Sequence, residues 1–126
     1  MKRLILFLML FCLTACRQEP NLTDQTYEMI TPSGLVVSLR FDPNENRYFG
    51  KAVNHYFGTY QLSDKSLSFG ATGSTMMMGL PDQMADEAAY FDQLSRVHSY
   101  QLTPESVIFY LSDGSSFQMY PRTIER

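Results

Sequence analysis

Apolar and polar residues alternate along most of this chain, and the alternation predicts a series of short β-strands. In residues 35–41 every odd position is apolar, from Leu35 to Phe41, whereas Ser38 and Arg40 lie between them. A period of two is typical of a half-buried strand. Further strands are predicted over residues 47–53, 58–62, 67–70, 97–102, 106–111 and 115–120.

Short polar steps separate these strands and predict hairpins. The Asp-Pro-Asn-Glu-Asn run at residues 42–46 combines a fixed proline φ with side chains that hydrogen-bond nearby backbone groups. Asp113 and Gly114 lie between two apolar runs, which is a strong hairpin signal. Such short connections favour antiparallel pairing, because parallel strands need long crossovers.

One segment has a helical period instead. Met84, Ala88, Phe91 and Leu94 recur at intervals of four, three and three residues, which predicts one apolar face of an amphipathic helix. The helix is expected to begin at residues 81–82 and to end near Ser95.

Acidic residues lie at the predicted start of this helix. We expect Asp82 to cap it, and Asp86 and Glu87 to interact favourably with the positive end of the helix dipole. These positions need no catalytic or calcium-binding role, and they lack the spacing of a calcium loop.

These elements together predict the fold class. It is mainly β, an antiparallel sheet curled into a small barrel-like fold with one α-helix packed on it. The strand predicted over residues 106–111 is apolar on both faces. We therefore expect it to be central, with its second face covered by the helix.

The amino terminus has the pattern of an export signal. Lys2 and Arg3 precede ten apolar residues, 4–13, and the segment ends in Leu-Thr-Ala-Cys at residues 13–16. This pattern resembles a bacterial lipoprotein precursor. The resemblance implies cleavage before Cys16, lipidation of its sulfur and an acyl chain on its new amino group. A membrane partner, bound through lipid on Cys16, is therefore expected.

Processing at Cys16 divides the chain into four parts. Residues 1–15 are the signal peptide, 16–26 the lipidated cysteine and a polar tether, 27–122 the β domain, and 123–126 a short tail. Arg17 follows the cysteine, so no aspartate is present there to favour inner-membrane retention. The expected location is the outer membrane, facing the periplasm, or the cell membrane if the bacterium has one membrane.

Charge and cysteine content limit the possible functions. Loss of Lys2 and Arg3 leaves 8 basic and 13 acidic side chains, a formal net charge of −5. An acidic surface of this kind argues against nucleic-acid binding. Cys12 lies in the signal and Cys16 is expected to carry lipid, so the domain has no thiol for a disulfide or for catalysis.

Asn54, Gly58 and Tyr60 form an N-x-x-x-G-x-Y motif over residues 54–60. This motif, with those that follow it, resembles the signature of the META domain family of HslJ-like bacterial lipoproteins. Thr75 begins a segment similar to the family's T-x-M-A-C motif, and Glu87 falls where the family has its helix. The resemblance covers about residues 27–122 and implies a membrane-tethered domain with a binding or stress-protective role.

The motif residues are interpreted as structural. Asn54 is expected to hydrogen-bond backbone amides, and Gly58 to permit a positive φ in a tight connection before Tyr60. The chain departs from the family at Val53 and Gly79, where many members have cysteine. The departure removes any disulfide or cysteine ligand at these positions.

Other residue clusters contain side chains that can bind metals or act in catalysis. The run Met76-Met77-Met78 suggests either a copper(I) site or core filling, and we expect core filling because adjacent strand residues point to opposite faces. His55 and His98 lack a neighbouring nucleophile motif. The sequence therefore predicts no catalytic residues, no metal site and no cofactor.

Three functions remain open. The first is a noncatalytic envelope binding or stress-protective protein, and the second is a carrier of a small apolar ligand inside the barrel, which needs a cavity of at least about 300 Å³. The third is an inhibitor of an envelope-attacking hydrolase, which predicts an exposed loop. Five aromatic residues within positions 48–60 are expected to lie mostly in the core, with the outward ones available to a protein or apolar partner.

Overall fold

A computed structural model describes residues 21–122 of the chain. The predicted signal peptide, Cys16, most of the predicted tether and the tail at 123–126 lie outside the described residues. The strands are β1 (Thr26–Ile30), β2 (Val36–Asp42), β3 (Arg47–Lys51), β4 (His55–Ser63), β5 (Ser66–Phe69), β6 (Gly73–Ser74), β7 (Val97–Leu102), β8 (Val107–Leu111) and β9 (Ser116–Pro121). The helix α1 is Pro81–Arg96, and a 3-10 turn covers Leu22–Asp24.

Eight of the strands form a closed antiparallel barrel. Their order is β3-β2-β1-β9-β8-β7-β5-β4, and β4 pairs again with β3 to close the ring. The short strand β6 pairs with β4 outside this ring. The predicted fold class, an antiparallel barrel with one helix, is therefore confirmed.

Alternation along the strands places one set of side chains inside the barrel. In β2 and β3 the inward residues include Val37, Leu39, Phe41 and Tyr48, all buried, whereas Arg40 is exposed on the outer face. Aromatic rings fill much of the interior, and several meet edge to face. Tyr60 packs on Phe41 in this way, with ring centroids 5.1 Å apart.

Helix α1 closes one end of the barrel. Its Tyr90 ring lies 5.6 Å from Tyr56 on β4 and 6.2 Å from Phe117 on β9, measured between centroids. Because these two strands are on opposite sides of the ring, Tyr90 lies across the mouth. Ser33 in the β1–β2 turn donates to Asp86 on the helix from its backbone N–H at 2.9 Å.

The chain reaches the barrel at the other end. Leu22 is fully buried there, and the Tyr27 hydroxyl donates a 2.7 Å hydrogen bond to its carbonyl. β1 begins at Thr26, so the packed chain starts before Tyr27. Leu22 and Thr26, which fall within the tether predicted over residues 16–26, therefore belong to the folded domain, and Leu22 supplies apolar area that the barrel end buries.

The expectation about the cap of the helix is wrong. Asp82 does not cap it, because Pro81 already occupies the first helical position and Leu80 is the N-cap, without a side-chain hydrogen bond. The Asp82 carboxylate instead accepts from the neighbouring Gln83 N–H.

The buried face of the helix also differs from the predicted one. Glu87, Tyr90 and Leu94 are buried, whereas Ala88 is exposed. The apolar period predicted the wrong face of the helix because a charged residue, Glu87, lies on the buried face.

The helix does not cover β8. Val107, Phe109 and Leu111 point into the barrel, and the alternate residues Ile108 and Tyr110 are half-buried on its outer face. The helix instead lies over the end of the barrel. None of the helical segments in residues 21–122 has the length and apolar character of a membrane-spanning helix.

Candidate functional site

The side chain of Asn54 lies at the centre of a hydrogen-bonded network at the helix-capped end of the barrel. Its Nδ2 donates to Glu87 Oε1 at 3.0 Å and to the Met77 carbonyl at 3.3 Å. Its Oδ1 accepts from the Thr75 hydroxyl at 3.1 Å and from the Met77 backbone N–H. All four hydrogen-bonding sites of the amide are therefore used.

The Glu87 carboxylate is the second member of this Asn54–Glu87 network. It also accepts a 2.7 Å hydrogen bond from the Asn54 backbone N–H. Asn54 is 3% and Glu87 5% exposed. A buried carboxylate requires such partners, because burial of an unpaired charge is costly. Glu87 therefore holds the β3–β4 connection on the helix, and the predicted dipole role is replaced by a direct contact.

The network fixes the segment between β6 and α1. Residues 75–80 have no regular secondary structure, and Thr75 and Met77 are fastened to Asn54. The side chains of this segment, which we call the methionine loop (residues 76–80), point into solvent. Met76 is 95%, Met77 61%, Met78 94% and Leu80 62% exposed.

The expectation that these methionines fill the core is wrong. It assumed a strand, whereas the segment is a loop whose backbone, not its side chains, is bound by the domain. In residues 21–122 no group of three histidine, cysteine or acidic side chains is placed to hold a metal ion. The carboxylates of Asp86 and Glu87 do not converge either, since each is bonded to a different turn.

Gly58 and Tyr60, the other signature residues, contribute to the packing of the barrel interior. Gly58 is in the middle of β4 and its φ is not positive, so the expected turn is not there. A Cβ at this position would lie 2.4 Å from the Tyr48 hydroxyl oxygen. Glycine is needed because the ring of its cross-strand partner Tyr48 lies against the bare backbone.

Gly50 repeats this arrangement with Tyr56, its own cross-strand partner. A Cβ on Gly50 would lie 2.3 Å from the Tyr56 hydroxyl oxygen and 2.0 Å from the Ser38 carbonyl oxygen. That hydroxyl donates to the Ser38 carbonyl and accepts from the Tyr90 hydroxyl at 2.6 Å. Sequence reasoning missed that Gly50 has the same role as Gly58, although glycine and tyrosine alternate on both strands.

Buried tyrosines define the electrostatics of the interior. Burial, together with the nearby Tyr90 hydroxyl, raises the pKa of Tyr56 well above its usual value, and burial also raises the pKa of Tyr90. Burial raises the pKa of Tyr27 to about 12. These hydroxyls stay protonated near neutral pH and act as hydrogen-bonding groups, not as bases.

Val53 and Gly79, the two positions at which the sequence departs from the family pattern it resembles, are neighbours in space. A Cβ on Gly79 would lie 2.8 Å from a Val53 methyl carbon. The pair therefore joins the β3–β4 connection to the methionine loop by packing. The histidines are separated: His55 is exposed on β4, and His98 is exposed on β7.

Comparison with solved structures supports the fold. An NMR structure of a protein from Burkholderia xenovorans has a TM-score of 0.64 at 21% identity, covering 81% of this chain and 84% of that one. A second NMR structure has a TM-score of 0.61 at 14% identity, with 78% and 89% covered. The crystal structure of a DUF4847 family protein from Bacteroides vulgatus has a TM-score of 0.53 at 12% identity, with 71% and 61% covered. At these identities the likeness shows the fold alone.

Sequence comparison identifies the family. No curated protein is similar enough to the chain to count as a match. The model of the META domain matches residues 16–123, which is 108 of the 126 residues. The chain therefore belongs to the META domain family.

Proposed function

We propose that this protein is a noncatalytic, lipid-anchored binding protein of the bacterial envelope, and that it binds another protein through the methionine loop. The observation that carries the proposal is the Asn54–Glu87 network. In it a buried amide and a buried carboxylate hold an exposed apolar loop in place. Four exposed apolar side chains in five residues are unusual on a small domain and are typical of a contact surface.

The loop suits a protein groove. Methionine side chains are flexible and polarizable, so they adapt to irregular apolar pockets. Hydrogen bonds to Asn54 from the Met77 backbone N–H and from the hydroxyl of the preceding Thr75 already fix the loop, which lowers the entropy lost on binding. The partner is therefore expected to have an apolar groove that receives Met76 and Met78.

The position of the loop supports contact away from the anchoring membrane. The chain reaches the barrel at Leu22, at the end opposite to helix α1, and the loop lies at the helix-capped end. A lipid on Cys16 would be joined to Asn21 by four residues, which span at most about 17 Å from Cys16 to Asn21. The described chain thus begins at the end of the barrel opposite to the proposed contact.

The interior gives little support to a carrier of apolar ligands. Side chains fill the barrel, Tyr90 lies across one mouth and Leu22 is buried at the other. Cavities of about 280 and 320 Å³ both open on the outer face. An inhibitor of a hydrolase remains one form of the proposed function, since an exposed loop is what it requires.

The anchor is tested by metabolic labelling with a palmitate analogue. The wild-type protein is expected to be labelled and to fractionate with membranes, and Cys16→Ala is expected to lose both properties. Labelling that persists in Cys16→Ala, or that never occurs in the wild type, would refute the anchor. Neither result bears on the contact through the methionine loop, which is tested separately by crosslinking.

A further inference from the structure

The outer face of the barrel carries a groove that the proposed function does not use. It crosses strands β1 to β4 and has a volume of about 280 Å³. Its lining residues with polar or aromatic side chains include Thr26, Arg40, Phe49, Lys51, His55 and Arg122. A second depression of about 320 Å³ shares Arg40 and Phe49 with it.

Basic side chains are concentrated at this groove. Residues 21–122 contain six lysines and arginines, and four of them lie on this face: Arg40, Arg47, Lys51 and Arg122. The chain as a whole is acidic, with a formal net charge of −3. Glu28, Asp42 and Glu45 also lie on this face, but the residues that line the groove itself include three cations and no carboxylate. The lining is therefore positive and attracts anions.

Two of these cations are available to a ligand. Arg122 is bonded to Glu28 at 2.6 Å, and Arg47 lies 3.8 Å from Glu45. Within residues 21–122, by contrast, no carboxylate lies within 4.0 Å of the nitrogen atoms of Arg40 or Lys51. Their N–H groups are left to solvent or to a bound anion.

The Phe49 ring orients one of these two groups. The Arg40 guanidinium lies 5.5 Å from the ring centroid, and Arg47 lies 5.4 Å from it. A guanidinium that rests on an aromatic ring loses less freedom when it binds an anion, and its N–H groups can still donate hydrogen bonds. Arg40 on β2 pairs with Phe49 on β3, and Lys51 is two residues further along β3. The side chains of Arg40 and Lys51 therefore lie on the same face and line the same groove.

We propose that this groove binds the phosphate group, an oxyanion, of a small organic molecule. The Arg40 fork makes two parallel hydrogen bonds to the oxyanion, and the Lys51 ammonium supplies a second positive charge. The volume is at the lower end of ligand sites, so the ligand is small or only its charged group enters. That group can belong to a soluble molecule or to a lipid headgroup.

The test is a titration of the full chain in nonionic detergent, followed by two-dimensional NMR. Phenyl phosphate represents a soluble ligand, dihexanoyl phosphatidylglycerol represents a lipid headgroup, and benzyl alcohol is the uncharged control. Saturable shifts at the amides of Arg40, Phe49 and Lys51 are expected with at least one of the two phosphates and not with benzyl alcohol. The phosphate with the lower Kd identifies the source of the ligand.

Two variants separate this site from general charge attraction. Arg40→Gln and Lys51→Gln are each expected to weaken binding about tenfold, because each removes a charged partner of the oxyanion. Lys65→Gln is the matched control: it removes the same charge from an exposed turn outside the groove and should leave the Kd unchanged. Equal Kd values in all three variants, or no saturation with either phosphate, would overturn the proposal. The spectrum of each variant without ligand reports whether it has kept its fold.

Discussion

Asn54 donates two hydrogen bonds to the Glu87 carboxylate, one from its backbone N–H at 2.7 Å and one from Nδ2 at 3.0 Å. The two residues are 33 positions apart, and the contact joins the β3–β4 connection to the helix that closes the barrel. The same amide holds the backbone of Met77. One side chain therefore links the closure of the barrel to the position of the exposed loop.

The first prediction concerns this network. Asn54→Ala removes four side-chain hydrogen bonds and leaves the buried Glu87 carboxylate with one partner fewer. The expected loss in the free energy of unfolding is about 2–3 kcal/mol, measured by urea denaturation. Asn44→Ala, in the exposed β2–β3 turn, is the control and should change stability by less than about 0.5 kcal/mol. Equal stability of the two variants would show that the network does not hold the fold.

The second prediction concerns the glycines inside the barrel. Gly58→Ala places a methyl group 2.4 Å from the Tyr48 hydroxyl oxygen, so the ring must move. We expect a loss of about 2–3 kcal/mol, the range of an overpacked core.

Gly34→Ala is the comparison for this variant. Gly34 has a φ of +84° and open space around it, so alanine there strains only the backbone, at a cost of about 1 kcal/mol. A larger loss of stability in Gly34→Ala than in Gly58→Ala would contradict the close approach of Tyr48.

The third prediction concerns alkaline pH. The pKa values of Tyr56 and Tyr90 are raised in the folded protein, mainly by burial, so the unfolded chain releases these protons first. Stability is therefore fully present below about pH 10 and falls as the pH rises above it. Urea midpoints measured between pH 8.5 and 11.5 should show this decline.

Tyr90→Phe tests whether the buried tyrosines cause this decline in stability. It removes one of the raised hydroxyls and should make the fall in stability with pH shallower. Tyr120→Phe, which removes an exposed hydroxyl, should decline like the wild type. A wild type whose urea midpoint is constant up to pH 11.5 would contradict the burial of these groups.

The fourth prediction concerns oxidation of the methionine loop. Peroxide transfers an oxygen atom to the thioether sulfur, which gives methionine sulfoxide and water. Met76 and Met78 are expected to be oxidised first, and the fully buried Met119 last. Peptide mass spectrometry over time gives the order. Oxidation of Met119 at the rate of Met78 would contradict the placement of these side chains.

The fifth prediction uses the contact between Val53 and Gly79. The double variant Val53→Cys/Gly79→Cys is expected to form a disulfide under oxidising conditions, since a Cβ on Gly79 would lie 2.8 Å from a Val53 methyl carbon. The bond should raise stability by up to about 3 kcal/mol, measured with and without reductant. Two free thiols in the oxidised, folded variant would show that these positions are not neighbours.

The sequence predicted the class of the fold well because local signals determine it. Alternation in residues 35–41 and the Asp113-Gly114 turn depend only on neighbouring residues. The buried face of the helix was misplaced because Glu87 is buried for a tertiary reason, its contact with Asn54. Apolar periodicity contains no signal for a buried charge with a distant partner.

The candidate site was harder to predict for a related reason. The motif residues Asn54, Thr75 and Glu87 were identified, but the contact between them is formed by the fold. The exposure of Met76 and Met78 was missed, because methionine is usually buried and only the loop geometry reverses this. Gly58 was assigned to a turn, although the Tyr48 ring is what requires it.

Contact through the methionine loop is tested most directly by photocrosslinking in cells. A photoreactive amino acid at position 76 is compared with one at position 65, an exposed lysine in the β4–β5 turn outside the loop. The prediction is one discrete protein adduct from position 76 that is absent from position 65. The adduct should be lost when Met77, Met78 and Leu80 are changed to serine in a variant that keeps its melting temperature. An adduct that survives this change, or that forms equally from position 65, would contradict binding through the loop.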